Sequence, residues 1–339
     1  LHSFTTRRSS DLKTKSFVRD DIDFLSKIKR HLPKDQQHLL VTMDVESLYT
    51  LGMEAMKYWI SKFRSEIPNR FSEEFICESI KLILENNVFH FNDKYYIQTR
   101  GTAMGTKMAP SYVNLVIAYL EETLYSNLKE NNAEYGEFIE DNFVRYLDDC
   151  FIIWPQAKWK IEKFIEELNH LHNDINFTHE HSNSEIPFLD IMVKLQTNTS
   201  FTDNYYKTTD THQYLDFNSC HPRHTKISIP YAQARRLCTI IDDISTRDSR
   251  LEEMRQFFLE RGYPNKLIDD GIAKAIAIPI ATLRQVKVQD NQDVLPFVFT
   301  HNPKNPDMSQ TVRSTVNMLK TDKSLRSAFS SVKYITSKR

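Results

Sequence analysis

The sequence predicts an α+β fold with an all-α region behind it. Three observations predict this. Short β-rich apolar runs bounded by turn residues recur through the first two hundred positions. Stretches with apolar residues at three-to-four spacing alternate with them. From about Tyr214 only the helical period persists.

Taken in order, Leu39, Leu40, Val41 and Met43 form a short apolar run that reads as a buried strand ending at Asp44. From Pro110 the pattern turns helical. Val113, Val116, Ile117, Leu120 and Leu124 share one face, and Pro110 suits the first turn. Phe143–Tyr146 and Phe151–Trp154 are β-rich runs flanking Leu147-Asp148-Asp149-Cys150, which together read as a hairpin. Trp159–His172 is helical, with Ile161, Phe164, Ile165, Leu168 and Leu171 on one side. Ile175–Thr178 and Phe188–Leu195 read as two further strands. Pro230–Ile278 is dominated by helical patterns. Within it Arg247–Arg261, the turn Gly262-Tyr263-Pro264 and Asn265–Ala277 read as helix, turn, helix, with Gly and Pro as stop and start signals.

The chain has 339 residues, of which 40% are hydrophobic and 26% charged, enough for a sizeable core and for two or three domains. Its formal net charge of −1 argues neither for nor against a nucleic-acid partner. Charge is unevenly placed, however. His301–Arg339 holds eight Lys/Arg against two Asp/Glu, an excess of +6, which reads either as a solvated tail or as a phosphate-binding segment. Four cysteines without a C-x-x-C are too sparse for a disulfide scaffold and suit a reducing compartment. No apolar run reaches about 18 residues, so no membrane partner is expected. Residues 1–12 are polar and patternless, and read as a disordered or non-native end.

Three aspartates carry the chemistry. Asp44 ends a strand, and Asp148 and Asp149 sit at a hairpin tip. Alone, an Asp-Asp pair reads as an ordinary turn. Adjacent carboxylates repel each other unless a cation lies between them, and two or three carboxylates are the oxygen donors that Mg²⁺ takes while leaving room for substrate phosphates. Two ions so held can activate a hydroxyl nucleophile and stabilise a departing pyrophosphate.

The wider wording is more specific. Val41-Thr42-Met43-Asp44-Val45-Glu46-Ser47-Leu48-Tyr49-Thr50 resembles the first catalytic motif of reverse transcriptases. Gly101-Thr102-Ala103-Met104-Gly105-Thr106-Lys107-Met108-Ala109-Pro110-Ser111 resembles their template- and nucleotide-positioning loop, and Tyr146-Leu147-Asp148-Asp149 their Y-x-D-D motif. A lone Y-x-D-D is a weak signal; three motifs in order and at matching spacing are a strong one. The particular phrasing resembles Penelope-like retroelements, relatives of telomerase. Later stretches are similar too: Ile175-Asn176-Phe177-Thr178, Ile186–Ile191, and His221-Pro222 through Ile229-Pro230-Tyr231. The similarity spans roughly Phe17 to Ala277.

The resemblance implies a polymerase palm, an antiparallel sheet with packed helices, followed by a helical thumb or helix-turn-helix region. It implies an RNA-directed DNA polymerase that takes an RNA template, a DNA primer and dNTPs and uses two Mg²⁺ ions, with Mn²⁺ as the alternative metal. Asp44, Asp148 and Asp149 would be the metal-binding, catalytic carboxylates. Val45, Ser47, Leu48, Tyr49 and Gly105 match nucleotide-binding positions. Val45 would offer its carbonyl to a metal, and the Tyr49 ring would exclude a 2′-hydroxyl. Gly105 would let backbone approach the nucleotide, a use suited to a residue without Cβ. Phe188-Leu189-Asp190-Ile191 resembles the primer-grip hairpin. A nuclear, intracellular protein is implied by the same likeness.

The chain also departs from the family. Only the trailing edge of a fingers region, near Phe17–Leu25, is recognisable; the segment after Tyr49-Thr50 is short; and a C-terminal GIY-YIG endonuclease is not reached before Arg339. No lysine general acid is assigned near Phe177–His181. The expected organisation is therefore 1–12 as a disordered or non-native end, 13–200 as a palm with a remnant of fingers, 201–285 as the helical region and 286–339 as a basic tail.

Other clusters have two readings each. Cys220, His221, His224 and Cys238 could hold zinc, but their spacing is not that of a standard finger and polar loop residues are the plainer reading. The helix-turn-helix could enter a groove or be a simple hairpin, and Glu252, Glu253, Asp269 and Asp270 weigh against the groove. Three functions compete: the reverse transcriptase, an inactive retroelement remnant that binds nucleic acid, and an RNA-templated RNA polymerase, against which Tyr49 argues. Oligomeric state is not readable.

Overall fold

A computed structural model describes residues 14–34, 37–46, 52–98, 102–103, 105–156, 159–171, 176–285, 294–299, 308–326 and 333–338. The disordered or non-native end expected at 1–12 lies outside them. The chain divides into two units, Leu1–Tyr206 and Lys207–Arg339.

The first unit is α+β and antiparallel, as expected. Its elements are α1 (Asp21–Lys27), β1 (His38–Glu46), α2 (Met53–Lys62), α3 (Glu73–Glu85), β2 (Val88–Phe91), β3 (Lys94–Ile97), α4 (Ala109–Asn131), α5 (Ala133–Asn142), β4 (Val144–Tyr146), β5 (Asp149–Pro155), α6 (Ile161–Asn169), β6 (Asn176–Ser182), β7 (Glu185–Phe188), β8 (Ile191–Gln196) and β9 (Thr199–Asn204). The main sheet runs β4-β5-β1-β6, and a second sheet runs β7-β8-β9.

Strand β1 alternates, with Leu39, Val41, Met43 and Val45 on one face and Leu40, Thr42 and Asp44 on the other. Val41, Met43 and Val45 point into a core built with Ile117, Leu120 and Leu124 of α4, Ile139 of α5, Cys150, Ile152 and Trp154 of β5, and Phe164 and Leu168 of α6. On the opposite face Phe151 packs edge-on against Phe24 of α1, ring centroids 5.2 Å apart, and lies 5.5 Å from Phe188 of β7. Amphipathic α4 supplies a second seam, where Tyr112, Val116 and Ala118 meet Ala55, Met56 and Trp59 of α2. The Trp59 indole donates to the Leu115 carbonyl at 2.7 Å.

Gly52 precedes α2 where the chain runs against the Tyr112 ring. A Cβ there would sit 1.2 Å from the Tyr112 hydroxyl oxygen, so no side chain fits unless the ring moves. Gly52→Ala is expected to destabilise the first unit by the usual overpacking cost of about 1–3 kcal/mol. Thermal denaturation checks this, and an unchanged melting temperature would show the ring swings away freely.

Three sequence expectations need correction here. The run Phe188–Leu195 is not one strand: Leu189, with φ of 55°, and Asp190 turn the chain between β7 and β8. The boundary placed after residue 200 falls inside β9, which pairs with β8 along its whole length, so the first unit extends to Tyr206. Third, the β2–β3 hairpin was not anticipated, although its turn residues Asn92 and Asp93 both take positive φ (49° and 58°), the conformation a two-residue turn between antiparallel strands favours.

The second unit contains α7 (Arg223–Ile240), α8 (Ile244–Glu260), α9 (Asn265–Ile276), α10 (Ile280–Leu283), β10 (Val294–Phe299), α11 (Met308–Thr321) and β11 (Lys333–Lys338). Asp243 caps α8 by accepting from the Thr246 amide at 2.7 Å. Gly262, with φ of 76°, stops α8, and Tyr263 is buried against Phe258 and Phe217. Gly271 of α9 lets α7 approach closely, since a Cβ would lie 3.0 Å from the Tyr231 backbone nitrogen. The stretch expected as a basic tail instead carries a parallel β10–β11 pair with α11 between them in sequence.

Candidate active site

The three aspartates lie at one end of the main sheet. In the antiparallel register Asp44 of β1 stands directly opposite Asp149 of β5, and Tyr146 of β4 stands opposite Asp149 on its other side. Directly paired residues project to the same face, so Asp44 and Asp149 share a face. Asp148 adjoins them in the two-residue turn, where Leu147 takes a φ of 53°. All three aspartates are exposed. Like charges directly opposite each other destabilise a strand pair. The facing pair therefore carries a repulsion that a cation between the carboxylates would relieve, while the neighbours Val41, Met43, Cys150 and Ile152 are buried.

The donor chemistry fits a hard divalent cation: carboxylate oxygens with solvent access. Cys150 is fully buried, burial pushes its thiol pKa well above the ordinary range, and the thiol donates to the Asp148 carbonyl at 3.8 Å. Among the described residues no three His, Cys, Asp or Glu side chains are gathered closely enough to enclose an ion. What the register supplies is a facing pair with a third carboxylate beside it.

The hairpin tip is held from beneath by a group that sequence reasoning missed. Arg145 of β4 is fully buried. Its Nε donates to Glu121 Oε1 at 2.6 Å, and one terminal nitrogen donates to Asn114 Oδ1 at 3.0 Å and to the Leu147 carbonyl at 2.8 Å. Ser16 donates its hydroxyl to Glu121 Oε2 at 2.6 Å, while the other terminal nitrogen of Arg145 has no hydrogen-bond partner among the described residues. Residues 16–18 run parallel to β4, with the Arg145 amide donating to the Ser16 carbonyl and the Val18 amide to the Arg145 carbonyl, both at 2.7 Å. Burial opposes the guanidinium charge, but Glu121 beside it more than compensates and holds the Arg145 pKa above its ordinary value. A signal was present: Asn114 and Glu121 interrupt the apolar side of α4 at helical spacing, and buried polar groups need partners.

The remaining expected positions divide as follows. Val45 is buried in the core and pairs with Phe177 of β6. Ser47, Leu48 and Tyr49 lie outside the described residues. Gly105 takes a φ of 98° with nothing within 4 Å of an added Cβ, so conformation rather than space demands glycine there. Phe188, Leu189, Asp190 and Ile191 form the β7–β8 turn, and Phe188 packs on Phe151, two residues beyond Asp149. This places the hairpin along the same face as the acidic pair.

The zinc reading gains no support. Cys238 is buried on α7, Cys220 is exposed, and His221 meets Ser219 at 3.1 Å. On α8 the arginines are paired: Arg247 with Asp248, Arg250 with Glu253 and Arg255 with Asp269. Among the described residues no helix is long and apolar enough to cross a membrane.

Comparison with known proteins adds two findings. A family model described as an animal helix-turn-helix domain matches residues 213–273, which take in α7, α8 and most of α9. No curated protein matches the sequence. Solved structures similar to the chain include a telomerase from Candida albicans in complex with a fragment of telomeric RNA, at 10% identity and a TM-score of 0.46, covering 77% of this chain and 43% of that one. An apo telomerase from Candida tropicalis is similar at 14% identity and a TM-score of 0.42, with coverage of 83% and 49%. A Sicinivirus RNA-dependent RNA polymerase follows at 12% identity and a TM-score of 0.39, with coverage of 72% and 52%. The chain thus spans about half the length of these proteins.

Proposed function

We propose that this chain is an RNA-directed DNA polymerase of Penelope-like retroelement type, its first unit the palm, extending a DNA primer with dNTPs on an RNA template. One observation carries the reading: Asp44 and Asp149 face each other across paired strands, with Asp148 at the adjoining tip and the Phe188–Ile191 hairpin on the same face. The three ordered motifs point the same way.

The residues divide the work. Asp44, Asp148 and Asp149 would hold two Mg²⁺, which when bound lower the pKa of a primer hydroxyl and neutralise charge on the departing pyrophosphate. The Val45 carbonyl adds an oxygen beside Asp44. Gly105 gives backbone approach to the nucleotide, and the Phe188–Ile191 turn orients the primer terminus. Tyr49 excludes the 2′-hydroxyl.

Primer extension on an RNA template with Mg²⁺, repeated with Mn²⁺, tests the reading. Templated incorporation of dNTPs supports it. Salt-sensitive binding of primer–template with no incorporation under either metal would favour the second reading, a nucleic-acid-binding remnant. The observation favouring that reading is the absence of a closed three-carboxylate group among the described residues. The chain is expected to bind duplex better than it extends it, because phosphate contacts supply most non-specific affinity, whereas a misplacement of about 1 Å at the reacting centre costs roughly a hundredfold. Affinity at two salt concentrations, measured beside single-nucleotide incorporation, checks the difference. Tyr49→Ala should admit ribonucleotides more readily, and unchanged discrimination between dNTPs and rNTPs would place that ring in the core instead.

A further inference from the structure

We infer that Arg145 is a positioning residue for the acidic hairpin: through Glu121 and Asn114 it anchors the Leu147 carbonyl to α4, and so fixes where Asp148 and Asp149 stand. The inference rests on the polymerase reading only for its consequence in catalysis; the anchoring itself stands on geometry.

The turn needs an anchor from outside itself. It has two residues, Leu147 holds a positive φ of 53° without being glycine, and both acidic side chains are exposed. A left-handed conformation at a non-glycine residue persists only where its surroundings over-determine it. The Tyr146–Asp149 pairing closes the hairpin, and Leu147 lies in the turn beyond that last pair. Arg145 supplies a donor to its carbonyl, at 2.8 Å. Its fork is in turn fixed by the Glu121 carboxylate at 2.6 Å and the Asn114 amide oxygen at 3.0 Å, both on α4, a helix held by two cores. Ser16 locks the far oxygen of Glu121. The planar guanidinium presents several donors in a rigid fork, so one side chain ties helix, strand and turn together. A lysine has a single nitrogen and no such plane, and would serve Glu121 or the turn but not both in fixed geometry.

The alternative is a buried ion pair that merely adds stability. Two variants of the full chain separate the two roles: Arg145→Lys, and the double variant Arg145→Met/Glu121→Leu, which removes both charges so that neither is stranded in the core. Hydrogen–deuterium exchange on peptides spanning 143–151 is read against peptides from β1 and α4, and Mn²⁺ binding is measured by titration calorimetry. In the folded double variant exchange at the tip should rise at least about tenfold more than in β1 or in α4 beyond Leu124, since tenfold corresponds to the loss of one hydrogen bond of ordinary strength. Mn²⁺ affinity should fall severalfold, and Arg145→Lys should lie between the double variant and the parent. Tip protection equal to that of the parent in the folded double variant would overturn the inference. If the parent incorporates no nucleotide, the polymerase reading fails while the exchange result still decides the anchoring.

Discussion

If Asp149 holds metal as proposed, replacing it with Asn should cut nucleotide incorporation by about a thousandfold or more, because losing such a carboxylate forfeits several kcal/mol of transition-state charge stabilisation and each 1.4 kcal/mol is tenfold. Asp44→Asn should do the same. Both follow from the register that sets Asp44 opposite Asp149. The same geometry makes an opposite forecast for stability. Two carboxylates facing each other across a strand pair repel, so neutralising one without divalent metal should raise stability by up to about 1 kcal/mol. Loss of activity with an unchanged or raised melting temperature is therefore expected, and a structural role for either aspartate would give the reverse. Asp141→Asn, a surface change on α5 at the Lys15 ion pair, is the control. Retention of activity in Asp149→Asn with Mg²⁺ supplied would remove the facing pair from the mechanism.

Breaking the buried ion pair on one side should produce a large loss of stability. Arg145→Met strands the Glu121 carboxylate, and Glu121→Leu strands the guanidinium; both groups are nearly inaccessible. Removing one partner of such a pair costs about 3–5 kcal/mol, because the remaining charge is left uncompensated in a low-dielectric interior. The double variant should be closer to the parent than either single, leaving the Leu147 carbonyl, the Asn114 amide oxygen and the Ser16 hydroxyl to satisfy, about 1–3 kcal/mol for each group left buried and unpaired. Chemical denaturation of the four proteins gives the coupling directly. Additive single effects, with the double variant worst of all, would show that water or rearrangement already compensates each charge.

Much of this protein is legible in its sequence because local pattern and burial agree. The apolar run before Asp44, the β-rich runs flanking Asp148-Asp149, the α4 stripe from Val113 to Leu124 and the Gly262-Tyr263-Pro264 punctuation each report a periodicity set by which faces are covered, and each element forms near its expected place. The three motifs made the aspartates candidates before any fold was known. Other features depend on partners distant in sequence. Phe188–Leu195 reads as one strand because its apolar residues continue through the bend, and only pairing of Phe188 with Ile191 and of β8 with β9 shows the turn. The true end of the first unit is set by β9, a strand whose composition, Thr199–Asn204, is polar and carries little signal alone. The final stretch reads as a basic tail because charge dominates its composition, while its parallel strands find each other across α11. Arg145 marks the limit most sharply. Sequence alone determined that two acidic residues end a hairpin beside it; only the tertiary structure decided that its charge would be buried, since that required α4 to bring Glu121 and Asn114 and the chain near Ser16 to close over them. A buried cation is tolerable only where distant groups converge on it, and convergence is a property of the fold, not of the neighbouring residues.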